Sequence, residues 1–373
     1  MKIIIQKEDL LYAVNAVEKA VSNKNILPIL SGILIIAKEG RVSFRATDLD
    51  LAIECGVTGQ VLEDGEAVVP GKKFSAFVRL LPNGNITLST KDKRQMDISY
   101  AESVGTVPCF DPSEFPMLPP MEGELSGRLP VRAFRRLVRQ VSIAAAQDEV
   151  RPVFSGVYCE FEGQDLIFVA TDTHRLAKSQ AEWNNQNSGS LIFPLRVLQE
   201  IARLAVDDDD EITLIANKNQ VFFSFANLIF TSKLIVGQYP DFRQVIPKSE
   251  LFTTTLLVEK GPFADALERA ALISRSGSQK NSSVRLEIRE TGLRVLAETP
   301  DEGMIDEKLP CALSGEEMDI NYNVRYVQDA LRVIDSQRIV MKLTSSTTPG
   351  LVFGDEDAGQ EYLYLLLPVR VNR

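Results

Sequence analysis

A single histidine, His174, stands in a chain of 373 residues, so any imidazole chemistry must run through it. Asp172 and Ser155 would complete a hydrolase that uses His174 and Asp172 on a repeated scaffold. The GxSxG spacing that strains such a serine into reach does not occur. The competing reading of this stretch is a polar turn in which Asp172 caps the backbone. Gly71-Lys72-Lys73-Phe74 lacks the earlier glycine and the Ser/Thr of a P-loop, and no dinucleotide fingerprint appears. Asp207 to Asp210 with Glu211 could attract a divalent cation, but a run of like charge at a turn reads as solvated surface. Cys55, Cys109, Cys159 and Cys311 are scattered without a CxxC pair, which argues against a ribbon zinc site and a disulfide framework. Neither a metal nor a cofactor is expected, and the chain is not expected to be an enzyme. Trp183 lies among Asn and Ser in an expected loop, with no role assigned.

The residues most suited to a ligand are basic. A helix expected over residues 131–145 carries Arg132, Arg135, Arg136 and Arg139 beside an apolar stripe of Phe134, Leu137, Val138 and Val141. Helices over 195–205 and 324–334 add Arg196 with Arg203 and Arg325 with Arg332. Long cationic side chains at helical spacing suit sequence-blind contacts to nucleic-acid phosphates. Each could equally be the solvated face of an amphipathic helix; recurrence at matching positions favours phosphate. The formal charge is −10, so any such surface must be a restricted basic lining in an acidic protein.

These positions recur because the chain repeats. Leu30-Ser31-Gly32, Ala46-Thr47-Asp48, Leu51-Ala52 and Pro70 reappear as Phe154-Ser155-Gly156, Ala170-Thr171-Asp172, Leu176-Ala177 and Pro194. A third copy lays Val284 to Ile288 and Leu293 to Ala297 over Val157 to Phe161 and Leu166 to Ala170; Arg325, Val327-Gln328-Asp329 and Arg332 echo Arg196, Leu198-Gln199-Glu200 and Arg203. Each unit reads as a short strand, an amphipathic helix (residues 7–21 in the first), alternating strands, a second helix (72–81 in the first) and further strands. The expectation is an α+β fold of three tandem two-helix, strand-rich domains over residues 1–122, 123–249 and 250–373, a usual domain size. Proline-marked junctions, Pro112 to Pro120 and Pro240 to Pro247, should stiffen the links.

The hydrophobic share of 45% and charged share of 25% are those of an ordinary globular chain. The apolar runs, such as residues 362–368, fall far short of a bilayer span. The start, Met1-Lys2-Ile3-Ile4-Ile5-Gln6-Lys7, lacks a signal peptide's pattern. A cytoplasmic protein that does not engage membranes is expected.

Four strings in register on the repeat carry a resemblance: Thr171 to Ala177 (TDTHRLA), Phe230 to Leu234 (FTSKL), Tyr239 to Arg243 (YPDFR) and Leu367 to Arg370 (LPVR), with Leu27-Pro28-Ile29-Leu30 near the start. Together they resemble the bacterial DNA polymerase III beta subunit family over essentially the whole chain. The resemblance implies a processivity factor that encircles double-stranded DNA as a head-to-tail homodimeric ring, helices inside and sheets outside. It implies a dimer interface at Leu272 and Ile273. It implies DNA contacts at Lys24, Lys72, Asp148, Arg151, Pro152, Val153 and Arg196, which join Arg132, Arg136 and Arg139 from the helix pattern; Lys280 is a further candidate. Tyrosines stand in the family prototype where this chain has Pro152 and Val153. The replicative polymerase's catalytic subunit, the clamp loader and repair proteins are expected to dock short linear peptides. Their pocket would comprise Phe154, Thr171, Thr173, His174, Arg175, Leu176, Pro240, Gln244, Val245, Leu365, Leu367, Pro368, Val369 and Arg370. Thr173 and Gln244 depart from the prototype. Leu176, Pro240, Val245, Leu367 and Val369 could form an apolar slot rimmed by His174 and Arg175.

Overall fold

Alternation decides the first element. In the strand Lys2–Gln6, Ile3 and Ile5 are buried and Lys2 and Gln6 exposed, the period-two mark of a half-buried strand. The computed structural model describes residues 1–22, 27–92, 94–147, 150–183, 188–274, 282–299, 302–356 and 361–369. Six α-helices are described: α1 (Lys7–Val17), α2 (Gly71–Leu80), α3 (Val131–Ser142), α4 (Leu195–Leu204), α5 (Lys260–Ile273) and α6 (Val324–Val333). They fall two to a repeat, so the fold is three-domain α+β, rich in strand. Among the described residues no helix is long and apolar enough to cross a membrane.

Helix faces follow the 3.6 period closely; helix ends do not. Phe134, Leu137, Val138 and Val141 of α3 are all buried. The helix expected over 131–145 stops at Ser142, where Ala144 N–H donates to the Val141 carbonyl in a tightened turn. The helix expected over 7–21 ends at Val17 and continues only as the 3₁₀ turn Glu18–Ala20. Apolar periodicity persists through such turns, so it overstates α-helix length.

The chain packs as two compact units, residues 1–132 with 196–234 and residues 133–195 with 235–373. The middle repeat is thus divided, and the sheets explain why. In the first unit one antiparallel sheet runs Leu125–Pro130, Glu211–Ala216, Gln220–Phe225, Leu228–Lys233, Leu51–Val57, Arg41–Thr47, Gly32–Lys38 and Gly65–Pro70. In the second unit the corresponding sheet runs Cys311–Gly315, Thr254–Glu259, Arg338–Leu343, Gly350–Gly354, Tyr362–Leu366, Arg175–Glu182, Asp165–Thr171, Gly156–Glu162 and Gly189–Pro194. Both obey one rule. The last strand of a repeat pairs with the strand after the polar turn of the preceding repeat: Leu228 opposes Cys55, and Tyr362 opposes Ser179. Backbone hydrogen bonds therefore cross each repeat boundary, and the packing units need not coincide with the repeats.

Two sheets lie outside these continuous ones. In the first unit Gln60–Glu63, Lys2–Gln6, Asn85–Asp92, Gln95–Tyr100 and Ser103–Pro108 form a sheet ending at Ser103–Pro108. In the second unit Gly303–Leu309, Gly292–Thr299, Ser283–Arg289 and Met318–Asn323 form a sheet ending at Gly303–Leu309.

Aromatic rings fill the cores. In the second unit Phe168 meets Phe134 edge-on at 6.3 Å and Phe193 at 6.3 Å. Trp183 lies outside any strand, just past Arg175–Glu182, yet is 2% exposed and packs on Phe161 at 5.3 Å; its polar neighbours in sequence concealed that burial. Asp207 to Asp210 form an exposed turn, and no cluster of potential metal ligands occurs among the described residues. Truncation of Phe168 to Ala should cost about 3–5 kcal/mol. The check is a lowered urea midpoint with unchanged m-value in the transition that reports the second unit.

Candidate docking turn and basic surfaces

Local chemistry shapes the turn around the lone histidine. Thr171 Oγ1 donates to the Arg175 carbonyl at 2.7 Å and accepts from Thr173 N–H at 3.1 Å. Asp172 Oδ1 accepts from the backbone N–H groups of His174 and Arg175 at 2.9 and 3.1 Å. Thr173 is left at φ +77°, a left-handed conformation that a β-branched residue rarely takes. The first repeat builds the same turn. Thr47 Oγ1 bonds the Leu51 carbonyl, Asp48 Oδ1 accepts from Asp50 and Leu51 N–H, and Leu49 sits at φ +75°. Turn geometry therefore aligns Leu51 with Arg175, one residue off the sequence alignment of Leu51 with Leu176. Two copies of one strained turn point to a requirement of the fold, on which the second repeat has placed different side chains.

Arg175 is the main difference. Expected on the rim, it is instead 9% exposed. Its Nε donates to Asp172 Oδ2 at 2.9 Å, its Nη1 to Asp329 Oδ2 at 2.6 Å, and its guanidinium lies 4.1 Å from the Tyr326 ring centroid. Burial pulls its pKa down, but Tyr364, Asp329 and Asp172 outweigh that and hold it above its ordinary value. Burial likewise lifts the Tyr364 phenol, whose O–H donates to the Tyr326 carbonyl at 3.1 Å. Arg175 thus ties its own turn to α6 and to the strand Tyr362–Leu366. Its Nε and Nη1 donate to Asp172 and Asp329, which holds the turn in place. Asp329 and Tyr326, which hold it, were not recognised from the sequence: Asp329 was visible only as an echo of Glu200, and the contact spans residues 175 and 329.

The same geometry removes the hydrolase. Asp172 spends its oxygens on backbone amides and on Arg175, while Ser155 Oγ donates to the Pro152 carbonyl at 2.8 Å. Neither is arranged to activate the other through His174.

An apolar cluster lies beside the turn. Phe154, Leu176, Tyr239, Phe242 and Leu365 share it, with Tyr239 stacked on Tyr158 at 5.0 Å and edge-on to Phe154 at 5.9 Å. Val153 and Ile246 pack against it. Asp241 caps the 3₁₀ turn Phe242–Val245 by accepting from Arg243 N–H, and Gln244 Nε2 donates to Asp241 Oδ2 at 3.2 Å. Leu367 N–H donates to the His174 carbonyl at 3.0 Å, and Val369 N–H to the Asn321 carbonyl at 2.8 Å, with Pro368 half-buried between them. Thr173, His174, Pro240, Gln244, Val245 and Leu367 are exposed around this buried floor. Val245 is 51% and Leu367 37% exposed. Of the expected pocket residues, Phe154, Leu176 and Leu365 share the buried cluster and Leu367 bonds the turn, while Arg370 lies outside the described residues.

The basic positions are less free than periodicity suggests. Arg136 pairs with Glu361 and donates to the Gln180 carbonyl, and Arg139 pairs with Asp335. Arg196 bonds Asp48 at 3.0 Å and the Lys19 carbonyl at 2.6 Å. Arg332 and Arg203 each pair within their helix, to Asp329 and Glu200. Lys72, Arg132, Arg151 and Pro152 are exposed, and the Arg151 guanidinium lies 5.3 Å from the Phe154 ring centroid. Lys24, Asp148 and Lys280 lie outside the described residues. On α5, Leu272 is 55% exposed and Ile273 half-buried. Nearby, Arg269 grips Glu307 of Gly303–Leu309 at 2.6 and 2.7 Å.

Comparison with known proteins agrees with this geometry along the full length. Residues 1–119, 128–241 and 243–370 match the N-terminal, central and C-terminal domains of the DNA polymerase III beta subunit. The chain belongs to that family. It is 33% identical to the beta sliding clamp of Halalkalibacterium halodurans, over 99% of this chain and 100% of that protein. It is 29% identical to the beta sliding clamp of Bacillus subtilis over 99% of this chain and all of that one. In structure it is similar to the Bacillus subtilis DNA polymerase sliding clamp, with a TM-score of 0.95 at 29% identity and full coverage of both chains. It is also similar to the Pseudomonas aeruginosa sliding clamp bound to griselimycin, with a TM-score of 0.94 at 27% identity and full coverage of both.

Arg175 and Arg196 offer a contrast. Arg175→Met strands Asp172 and Asp329 in a desolvated site and should cost about 3–5 kcal/mol of unfolding free energy. Arg196→Met, where the arginine itself is 58% exposed, should cost ~1 kcal/mol or less; urea titration of both variants checks the pair. Acid should act on the Arg139–Asp335 link. The Arg139 guanidinium holds the Asp335 carboxyl below its ordinary value. Its stabilisation is therefore complete above the ordinary carboxylate range and is lost as pH falls through the lowered folded value. Asp335→Asn should flatten the acid limb of the wild-type stability curve in that window.

Proposed function

We infer that this protein is a DNA sliding clamp, a non-catalytic tether that holds a polymerase on its template. Two copies close head to tail around duplex DNA, and partner proteins dock short peptides at the turn around His174. The observation that carries the ring is the sheet rule. Each repeat's last strand pairs with the strand after the turn of the preceding repeat, at Leu228–Lys233 on Leu51–Val57 and at Tyr362–Leu366 on Arg175–Glu182. Ser103–Pro108 and Gly303–Leu309 each stand at a sheet edge, paired on one side only among the described residues.

Open edges of this length invite pairing with another chain. Pairing Ser103–Pro108 of one copy with Gly303–Leu309 of another continues the same rule, and a heterologous contact that closes yields a ring. Apolar residues flank both edges. Leu80 is 85% and Val104 64% exposed at one, and Met304 63% and Leu272 55% at the other. In this arrangement Leu272 and Ile273 belong to the dimer interface. The ring's helices face the hole and its sheets form the outer wall.

DNA is held by exposed cations, Lys72, Arg132 and Arg151, together with Arg136, Arg139 and Arg196, whose acidic partners already compensate them. Lys24, Asp148, Pro152 and Val153 complete the set proposed from the family. Partly compensated arginines make weak, exchangeable phosphate contacts, which suits movement along a duplex. The replicative polymerase, the clamp loader and repair proteins would place apolar side chains over Leu176 and Leu365, between Val245 and Leu367, with His174 and Thr173 meeting the peptide's polar groups. Such a tether works in the cytoplasm, on the chromosome.

Topology provides the test. Protein loaded onto nicked circular DNA should stay bound through gel filtration and escape once the circle is linearised; loss from both substrates would sink the ring. Val104→Arg should raise the dimer dissociation constant roughly tenfold or more, ~1.4 kcal/mol, by placing an unpaired charge in the joint. Sedimentation velocity across a dilution series reads it.

A further inference from the structure

Asp329 of α6 is shared between two cations of different exposure. Its Oδ2 accepts from the buried Arg175 at 2.6 Å and its Oδ1 from Arg332 at 3.2 Å. The Arg332 side chain is 71% exposed, against 10% for Arg175 and 25% for Asp329. From Arg175 the contacts run on. Asp172 Oδ2 takes its Nε, Asp172 Oδ1 takes the His174 and Arg175 amides, and the His174 carbonyl takes the Leu367 amide. A chain of charge-assisted and backbone hydrogen bonds thus joins an exposed arginine on α6 to both sides of the docking turn.

We propose that Asp329 is a positioning residue for partner docking, through which phosphate binding at Arg332 tightens the turn that receives the peptide. The inference rests on the clamp reading, since it takes duplex DNA as the phosphate source. An exposed guanidinium exchanges a carboxylate for a phosphate at little cost, because the i, i+3 pair it leaves is weak. Asp329 then loses the cation that shared its charge and turns its full attraction on Arg175. The Tyr326 ring, 4.1 Å from the guanidinium centre, limits how far Arg175 can move. The added attraction therefore holds the turn more firmly against α6 and Tyr364. Coupling of this kind is reciprocal, so a docked peptide strengthens the hold on DNA by the same factor. The turn at Asp48 in the first repeat, which pairs with Arg196 of the second, lacks the relay, because Leu51 stands where Arg175 does.

The lone histidine supplies the readout. In the full-length protein with ¹³C-labelled histidine, the single imidazole signal of His174 reports the turn, and hydrogen exchange of residues 362–369 reports the Leu367 amide. Fluorescence anisotropy of a short labelled duplex reports DNA binding independently. At saturating duplex the His174 signal should shift and exchange at Leu367 should slow by about two- to threefold, the scale of one weak surface pair. Arg332→Gln, driven to saturation with the same duplex, should lose both responses. Asp329→Asn should exchange faster than wild type before any duplex is added. Bound duplex with an unmoved His174 signal and unchanged exchange would overturn the proposal, as would an Arg332→Gln protein that responds like wild type. Absence of any anisotropy change at low salt would instead remove the DNA reading and this inference with it.

Discussion

A strand edge leaves a row of backbone N–H and C=O groups without partners, and every larger feature of this protein answers that constraint. The repeats meet by donating their last strand to the free edge left by the repeat before, so that Leu228–Lys233 and Tyr362–Leu366 complete sheets begun elsewhere in the chain. Such pairing is stronger and more directional than contact between finished domain surfaces, because main-chain hydrogen bonds set both register and orientation. It also makes the repeats poor packing units. The middle repeat divides between two units because its two halves belong to two sheets. The same constraint marks Ser103–Pro108 and Gly303–Leu309, which stand at sheet edges with one side unpaired among the described residues.

Repetition of the backbone allows side chains to diverge. The turn with Thr171 and Asp172 and the turn with Thr47 and Asp48 share hydrogen bonds and a left-handed residue. In one, Leu51 follows and the nearby Lys233–Asp50 and Arg196–Asp48 pairs are exposed. In the other, Arg175 is drawn into a cage of Asp172, Asp329 and Tyr326, and exposed Val245 and Leu367 lie close by. A buried arginine satisfied on several sides fixes the turn, since any displacement strands two carboxylates. The result is an arginine-anchored turn beside an apolar cluster at one repeat boundary and exposed ion-pairing arginine and lysine at its twin.

Charge follows a related logic. The chain is acidic overall, yet its helices carry arginines whose partners are the protein's own carboxylates, Asp48, Glu361, Asp335 and Asp329. Compensation limits how strongly any one of them can grip a phosphate. On the reading proposed above, the cations need supply only a weak, even field.

Much of this was legible before any coordinates. Apolar residues spaced at 3.6 and 2.0 encode the faces of α3 and of Lys2–Gln6, because those periods are properties of the local backbone, and repeated strings, with ATD in two copies and a weaker echo in the third, expose three equivalent modules. The turn around His174 was also readable, since Thr and Asp bond amides two and three residues away. Helix ends were not, because the α-to-3₁₀ change at Val17 and Ser142 leaves the apolar pattern intact. The burial of Trp183 was not readable, because it is decided by Phe161, on another strand. Arg175 was misread as a rim residue, because what buries it, Asp329, Tyr326 and Tyr364, is brought alongside only when the last strand pairs with Arg175–Glu182. The sequence by itself determined the modules, their faces and their kinship. Tertiary structure decided which arginines are spent on carboxylates and which edges remain open, because both depend on pairings between residues far apart in the chain.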